Sequence, residues 1–165
     1  MTQRNANTRE PAAGIAAFLR APAEANPEAD LLLVPQWQAA DWETLFSYAR
    51  RLQVSNGKVL IRQDASERAL YFVGSGLLEV TTILSRDSLG RIAKIYPGSV
   101  VGELAFLDGR PRSAKVWAVA ESELYRLDFE DYQKFANAHP RQACDLLFAV
   151  GRVVALRLRR SQARG

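Results

Sequence analysis

A chain of 165 residues with 48% apolar and 24% charged side chains has the size and balance of one globular domain. Its single cysteine excludes an internal disulfide, and its single histidine, His139, leaves too few ligands for a metal centre and no base for a Ser-His-Asp set. Of the net charge of +4, the stretch from Arg141 to Gly165 carries +5 (six arginines, one aspartate), so the rest of the chain is near −1 and bears no basic face for nucleic acid.

Residues 1–35 are rich in Ala, Pro, Asn and Glu and are expected to form a flexible N-terminal extension. Within them a short helix is expected around Ala12 to Arg20, and Leu31-Leu32-Leu33-Val34 is apolar enough to dock on the domain. No signal segment is expected there, and cytoplasm is the default location. Asp41 reads as an N-cap, with Trp42, Leu45, Phe46, Ala49 and Leu52 at helical spacing, which predicts one amphipathic helix from Asp41 to Leu52.

From Val54 to about Asp128 the pattern changes to short strands between Gly, Pro, Asn and Asp turns, the signature of a sandwich or barrel. Strands are predicted at Lys58–Arg62, Ala69–Val73, Leu77–Leu84, Arg91–Tyr96, Ala114–Ala120 and Glu123–Leu127, with Arg86–Gly90 as a polar hairpin loop. Asp128 then resembles a cap for a helix ending near His139-Pro140. A long amphipathic helix follows from Pro140 to about Arg160, and residues 161–165 are expected as a basic tail. Its apolar run from Leu146 to Leu158 is cut by Gly151, Arg152 and Arg157, so no membrane span is expected. The same stripe is long enough to suggest a homodimer through this helix. Cys144 on it reads as a small buried apolar side chain.

The informative stretch is Val101-Gly102-Glu103-Leu104-Ala105-Phe106-Leu107-Asp108-Gly109-Arg110-Pro111-Arg112-Ser113-Ala114. Gly102 lets the backbone approach a ligand closely. Leu104 to Leu107 make about one helical turn, ended by Asp108-Gly109 with Gly109 as a left-handed cap. The first amides of such a turn are left to point at an anion. Arg112, nine positions after Glu103, brings a planar cationic fork, and Ser113 adds a hydroxyl. Glu103 is unsuited to a phosphate and well suited to a sugar hydroxyl. Taken singly, Glu103 reads equally well as a favourable first-turn charge and Arg112 as its surface partner. Together they describe a pocket for a ligand with one phosphate and one ribose, and a binding module rather than an enzyme.

This pattern closely resembles the phosphate-binding cassette of cyclic nucleotide-binding domains, the family of catabolite activator and kinase regulatory modules. Leu70-Tyr71-Phe72-Val73-Gly74-Ser75-Gly76-Leu77-Leu78-Glu79-Val80 and Pro97-Gly98-Ser99 extend the resemblance upstream. It implies, over residues 36–160, an antiparallel β-roll with an N-terminal helix and C-terminal helices, the last one long and lid-like. It implies cAMP or cGMP as ligand, cAMP slightly favoured, with no other cofactor. Glu103 then takes the ribose 2′-hydroxyl, while Arg112, Ser113 and the amides of Leu104 and Ala105 hold the cyclic phosphate beside Gly102. Val80 and Ile92 become apolar walls, and Arg157 falls at the base-facing position of the lid. On this reading Arg112→Ala removes binding and spares the fold.

Two departures stand against the resemblance. Gln63-Asp64-Ala65-Ser66-Glu67-Arg68 replaces a turn that the family usually builds with glycines. The chain also stops at Gly165, with no DNA-binding or other effector domain, so an effector protein of unknown identity is expected. Both leave open an alternative, a degenerate roll that binds a protein partner and no nucleotide.

Overall fold

The computed structural model describes residues 14–19, 29–85 and 88–163, and for 83–85, 88–89 and 91–92 the backbone alone. In chain order the elements are α1 (Ile15–Phe18), α2 (Ala39–Ser47), β1 (Arg50–Val54), β2 (Val59–Ile61), β3 (Ala69–Ser75), β4 (Leu78–Ser85), β5 (Ser88–Ile95), β6 (Val100–Val101), α3 (Glu103–Asp108), β7 (Lys115–Ala118), β8 (Ser122–Asp128), α4 (Phe129–Ala138) and α5 (Pro140–Ala163). Two four-stranded antiparallel sheets form the roll, ordered β1-β8-β3-β6 and β2-β7-β4-β5, with helices flanking.

Strand β3 sits between two cores. Leu70 and Phe72 face the helices, where they join Phe18, Trp42, Phe46, Phe135, Leu146 and Val150. Ala69, Tyr71 and Val73 face the other sheet, with Ile61, Leu78, Ile95, Val101 and Val116. A strand covered on both faces has no solvent side to alternate toward, which is why Ala69 to Gly74 reads as a nearly unbroken apolar run. Phe46 anchors the helix side, stacked on Tyr125 at 4.2 Å between ring centroids and meeting Phe72 edge-on at 5.3 Å. Each such buried aromatic is worth about 2 kcal/mol or more from area alone.

Several sequence expectations shift. Asp41 is the third residue of α2, not its cap: its carboxylate accepts from the Gln38 backbone N–H at 2.8 Å, and Gln38 is the N-cap. The helix stops at Ser47, and Leu52 belongs to β1, where it pairs Leu124 of β8. Leu52 satisfies a period of 3.6 and a period of 2 alike, and the free edge of β8 decides between them. Asp128 does cap α4 by position, yet its carboxylate takes Arg126 and Arg50 instead of the helix amides.

Ser88–Gly90, expected within a loop, already belongs to β5; Arg86 and Asp87 lie outside the described residues. The lead-in is not flexible throughout, because Ile15, Ala17, Phe18, Leu32 and Val34 are buried in the helix-side core. The helix expected at Ala12 to Arg20 is confined among the described residues to α1, and residues 20–28 lie outside them. Cys144 is exposed, since the buried stripe of α5 runs through Ala143, Leu146, Ala149, Val150 and Val153 one step away. The expected basic tail is partly helix, because α5 continues to Ala163. Among the described residues no helix is long and apolar enough to cross a membrane.

Candidate functional site

Two residues of β6 pair with β3 (Val101 with Tyr71, Val100 with Phe72) and deliver the chain to Gly102 at a fixed place on the roll. Gly102 has φ +85°, and a Cβ there would lie 2.4 Å from Arg112 Nη1 and 2.9 Å from the Ala69 carbonyl oxygen. No other residue fits. α3 follows, and its own hydrogen-bond ladder starts with Phe106 N–H to the Gly102 carbonyl at 3.1 Å. The amides of Glu103, Leu104 and Ala105 therefore stand ahead of that ladder. Gly109 closes the helix at φ +70°, its N–H on the Ala105 carbonyl.

Arg112 is 2% exposed. Its Nη1 donates to the Gly102 carbonyl at 2.9 Å, and its Nη2 donates to the Ala69 carbonyl at 2.8 Å and to Glu67 Oε1 at 3.0 Å. Its Nε is buried with no hydrogen-bond partner. The backbone is held as firmly: Asp64 N–H donates to the Arg112 carbonyl and Arg112 N–H to the Ala65 carbonyl, both at 2.8 Å. Asp64 adopts φ +65°, a left-handed conformation that Asp tolerates better than most residues, so the glycine-free turn still closes.

Glu67 also accepts from the Tyr71 hydroxyl and lies 3.7 Å from Arg126. Burial, and then the Glu67 carboxylate, push the Tyr71 phenol well above its ordinary range, so Tyr71 stays a protonated donor.

A cavity of about 740 Å³ opens against this cassette, within the size range of small-molecule sites. Gly102, Glu103, Leu104, Ala105, Arg112 and Ser113 line it on one side, with Val80 and Thr82 of β4, Ile61 and Val116 supplying other walls. Arg157 and Arg160 of α5 line it too, as does Asp30. The backbone of Ile92 pairs with Thr81 of β4, while its side chain lies outside the described residues.

Arg157, expected at the base-facing position of the lid, lines the cavity and is bonded within the chain. Its Nη1 is 2.9 Å from Glu103 Oε1, its Nε is 3.1 Å from Asp30 Oδ2, and its Nη2 donates to the Val100 carbonyl at 2.7 Å. Arg160 pairs with the same Asp30.

Three residues of this constellation were not singled out from sequence as contributors. Glu67 had no local signal, being one charge in a polar turn. Arg68 is the C-terminal cap of α3, donating from Nε to the Phe106 carbonyl at 3.0 Å and resting 3.4 Å from the Phe129 ring centroid. Asp30 sits in the lead-in, 73 positions before Glu103, and no spacing rule joins the two.

Comparison with known proteins places this geometry. Residues 51–139, more than half of the chain, match the family model described as cyclic nucleotide-binding domain. The chain is 34% identical over 110 residues to a cyclic AMP receptor protein of Thermus thermophilus, covering 64% of this chain and 49% of that protein. It is 27% identical over 122 residues to cyclic GMP-binding protein C of Dictyostelium discoideum, covering 72% of this chain and 4% of that one. The chain thus spans half or less of these relatives' length. Among solved structures, the catabolite activator protein of Thermus thermophilus superposes with a TM-score of 0.70 at 27% identity, over 81% of this chain and 61% of that one. A cyclic nucleotide-binding domain from Methylobacillus flagellatus shares the fold, with a TM-score of 0.72 at 21% identity over 78% and 72% of the two chains.

Proposed function

The chain belongs to the cyclic nucleotide-binding domain family, and from that premise we propose that it is a regulatory module that binds cAMP or cGMP, cAMP slightly favoured. The observation that carries this reading is Arg112: a buried guanidinium whose Nε–H has no partner, lining the same cavity as Glu103 and Ser113. A buried donor left unmade costs about 1–3 kcal/mol, and a cyclic phosphate oxygen relieves that cost. The amides of Leu104 and Ala105 and the Ser113 hydroxyl complete the phosphate cradle beside Gly102, and Glu103 accepts from the ribose 2′-hydroxyl. Val80 and Ile92 flank the sugar and base. The module performs no chemistry on its ligand; it acts in the cytoplasm by moving α5 and thereby engaging an effector protein. The domain proper takes residues 36–160, with Ile15, Ala17, Phe18, Leu32 and Val34 of the 1–35 extension packed into its core and α5 running on to Ala163 of the basic tail 161–165.

Calorimetric titration with each nucleotide tests this directly, and no heat from either at millimolar ligand overturns it. One observation favours a second reading, a roll that binds a protein partner and no nucleotide: Glu103 and Arg112 are already charge-paired, with Arg157 and Glu67. The same titration separates the two.

Homodimerisation through α5 also belongs to this proposal, on another face than the apolar stripe that suggested it, because Ala143, Leu146, Val150 and Val153 are buried in the domain's own core. Leu147, Phe148 and Leu158 are 36%, 80% and 58% exposed, with exposed Cys144 at the head of the same face. The spacing 144, 147/148, 151, 154/155, 158 repeats every three to four residues, as a seam between two helices requires.

A further inference from the structure

The segment ahead of α2 brings one charged residue to the cavity. Asp30 lines it together with Glu103, Arg112, Arg157 and Arg160. It lies outside residues 51–139, the part that matches the family model. Hydrogen bonds to the turn before β6 fix its backbone: the Ser99 hydroxyl donates to the Asp30 carbonyl, and the Leu32 N–H donates to the Gly98 carbonyl at 2.9 Å. The Asp30 side chain is 12% exposed, and its Oδ2 accepts from Arg157 Nε at 3.1 Å. Its Oδ1 is charge-paired with Arg160 and yet, though buried, accepts no hydrogen bond. Among the described residues three buried side-chain polar atoms lack a hydrogen bond: Thr81 Oγ1, Arg112 Nε and Asp30 Oδ1. The last two belong to residues that line this cavity, and one is a donor, the other an acceptor.

Resting on the nucleotide reading above, we propose that Asp30 recognises the base, its Oδ1 accepting a hydrogen bond from the exocyclic amine of adenine. The order of the groups supports this. Arg112 takes the phosphate and Glu103 the ribose 2′-hydroxyl. The base is attached to the ribose carbon next to the one bearing that hydroxyl, on the side away from the phosphate. On that side Arg157 joins Glu103 to Asp30, with Nη1 on Glu103 Oε1 at 2.9 Å and Nε on Asp30. The state of the carboxylate then selects among purines. With both oxygens open it would match the paired N1–H and N2–H donors of guanine. Here Oδ2 is taken by Arg157, which leaves one oxygen, and a single amine suits it. A base with a carbonyl in place of that amine sets acceptor against acceptor, and neither is satisfied.

The experiment is calorimetric titration of the full chain with cAMP, with cGMP and with the 3′,5′-cyclic phosphate of inosine, which carries an oxygen where adenine carries its amine. Wild type should bind cAMP about 10- to 100-fold more tightly than the inosine nucleotide, the worth of one hydrogen bond to a charged group. Asp30→Asn keeps the shape and offers both a donor and an acceptor, and Asp30→Ala offers neither, so both should bring that ratio close to one. If the substitutions weaken both nucleotides by the same factor, Asp30 only holds Arg157 and Arg160, and the assignment is overturned. It is overturned equally if wild type does not distinguish cAMP from the inosine nucleotide, or binds cGMP more tightly than cAMP, two results that do not depend on the variants folding. Absence of heat from all three nucleotides with wild type refutes the nucleotide reading itself, and the base assignment falls with it.

Discussion

Replacing Arg112 by alanine is the sharpest test of the site, and the structure changes what to expect of it. Sequence reasoning gave the residue to the ligand alone. Instead its guanidinium joins three segments, through the Gly102 and Ala69 carbonyls and the Glu67 carboxylate, at 2% exposure. Arg112→Ala takes a donor from the Ala69 carbonyl and from the Gly102 carbonyl, which keeps the Phe106 N–H, and leaves Glu67 with the Tyr71 hydroxyl and with Arg126 at 3.7 Å. Breaking a buried pair from one side costs on the order of 3–5 kcal/mol, and because Glu67 is 28% exposed and keeps other partners the loss here lies at the low end, about 3 kcal/mol. A domain this size loses about 2–4 °C per kcal/mol, so the ligand-free melting temperature should fall on the order of 10 °C. Nucleotide affinity should fall about a hundredfold or more, since each 1.4 kcal/mol is tenfold. Thermal melts without ligand and calorimetry with it read the two effects separately. Arg112→Lys keeps the charge but not the fork, and should recover part of each. If the ligand-free alanine variant melts like wild type, the buried contacts carry no stability and the reasoning is wrong. If any folded Arg112 variant binds as wild type does, Arg112 is not the phosphate residue.

Gly102→Ala should lower stability by about 1–2 kcal/mol for the left-handed backbone alone, and its Cβ, 2.4 Å from Arg112 Nη1, should displace the guanidinium and weaken binding; wild-type values in both melts and titrations would contradict this. Glu123 accepts from Arg51 and Gln53 at 2.9 Å and from Tyr125 at 2.8 Å. Burial opposes its charge, yet these hydrogen bonds bring its pKa below the ordinary 4.5. A lowered folded-state pKa contributes stability that is present above the unfolded value and lost as pH falls through the folded one. Melting temperature should therefore drop on acidification below about pH 4.5, and Glu123→Gln should lower it at neutral pH and flatten that acid slope; parallel slopes would count against the assignment. Phe148→Glu should convert a dimer to an 18.3 kDa monomer in sedimentation, and a wild type that already sediments as a monomer at high concentration removes the dimer.

What was legible in the sequence is what is local. Gly102, Glu103, Arg112 and Ser113 fall within twelve residues, and the backbone geometry that joins them, a left-handed glycine and one short helix, is written in residue types. Most strands of the roll were legible for the same reason, but β1, read in part as the end of a helix, and the two-residue β6 were not. The partners were not. Glu67, Asp30 and Arg157 reach the site only through the fold, and a charge in a polar stretch looks like any solvated charge until its neighbour is known. Arg157 was placed correctly on α5, but its engagement with Glu103 depends on the docking angle of a helix whose last ten residues bury no apolar side chain fully. Boundaries failed where two patterns coincide, as at Leu52, and residue type misled at Cys144, which stands one position off the buried stripe of α5.

The glycine-free turn from Gln63 to Arg68 bears on whether the roll has decayed into a scaffold. It departs from the family's pattern, yet it holds Arg112 at both ends: Asp64 and Ala65 exchange backbone hydrogen bonds with it, and Glu67 takes its head group. Asp64 accepts a left-handed conformation to do so. A purely structural arginine gains from having every buried donor satisfied, because an orphaned one costs about 1–3 kcal/mol with no return. Here the Nε–H stays orphaned although three other contacts fix the guanidinium firmly. The turn holds an arginine that keeps one donor free, and that arrangement favours a site that accepts an anion over a scaffold without a ligand.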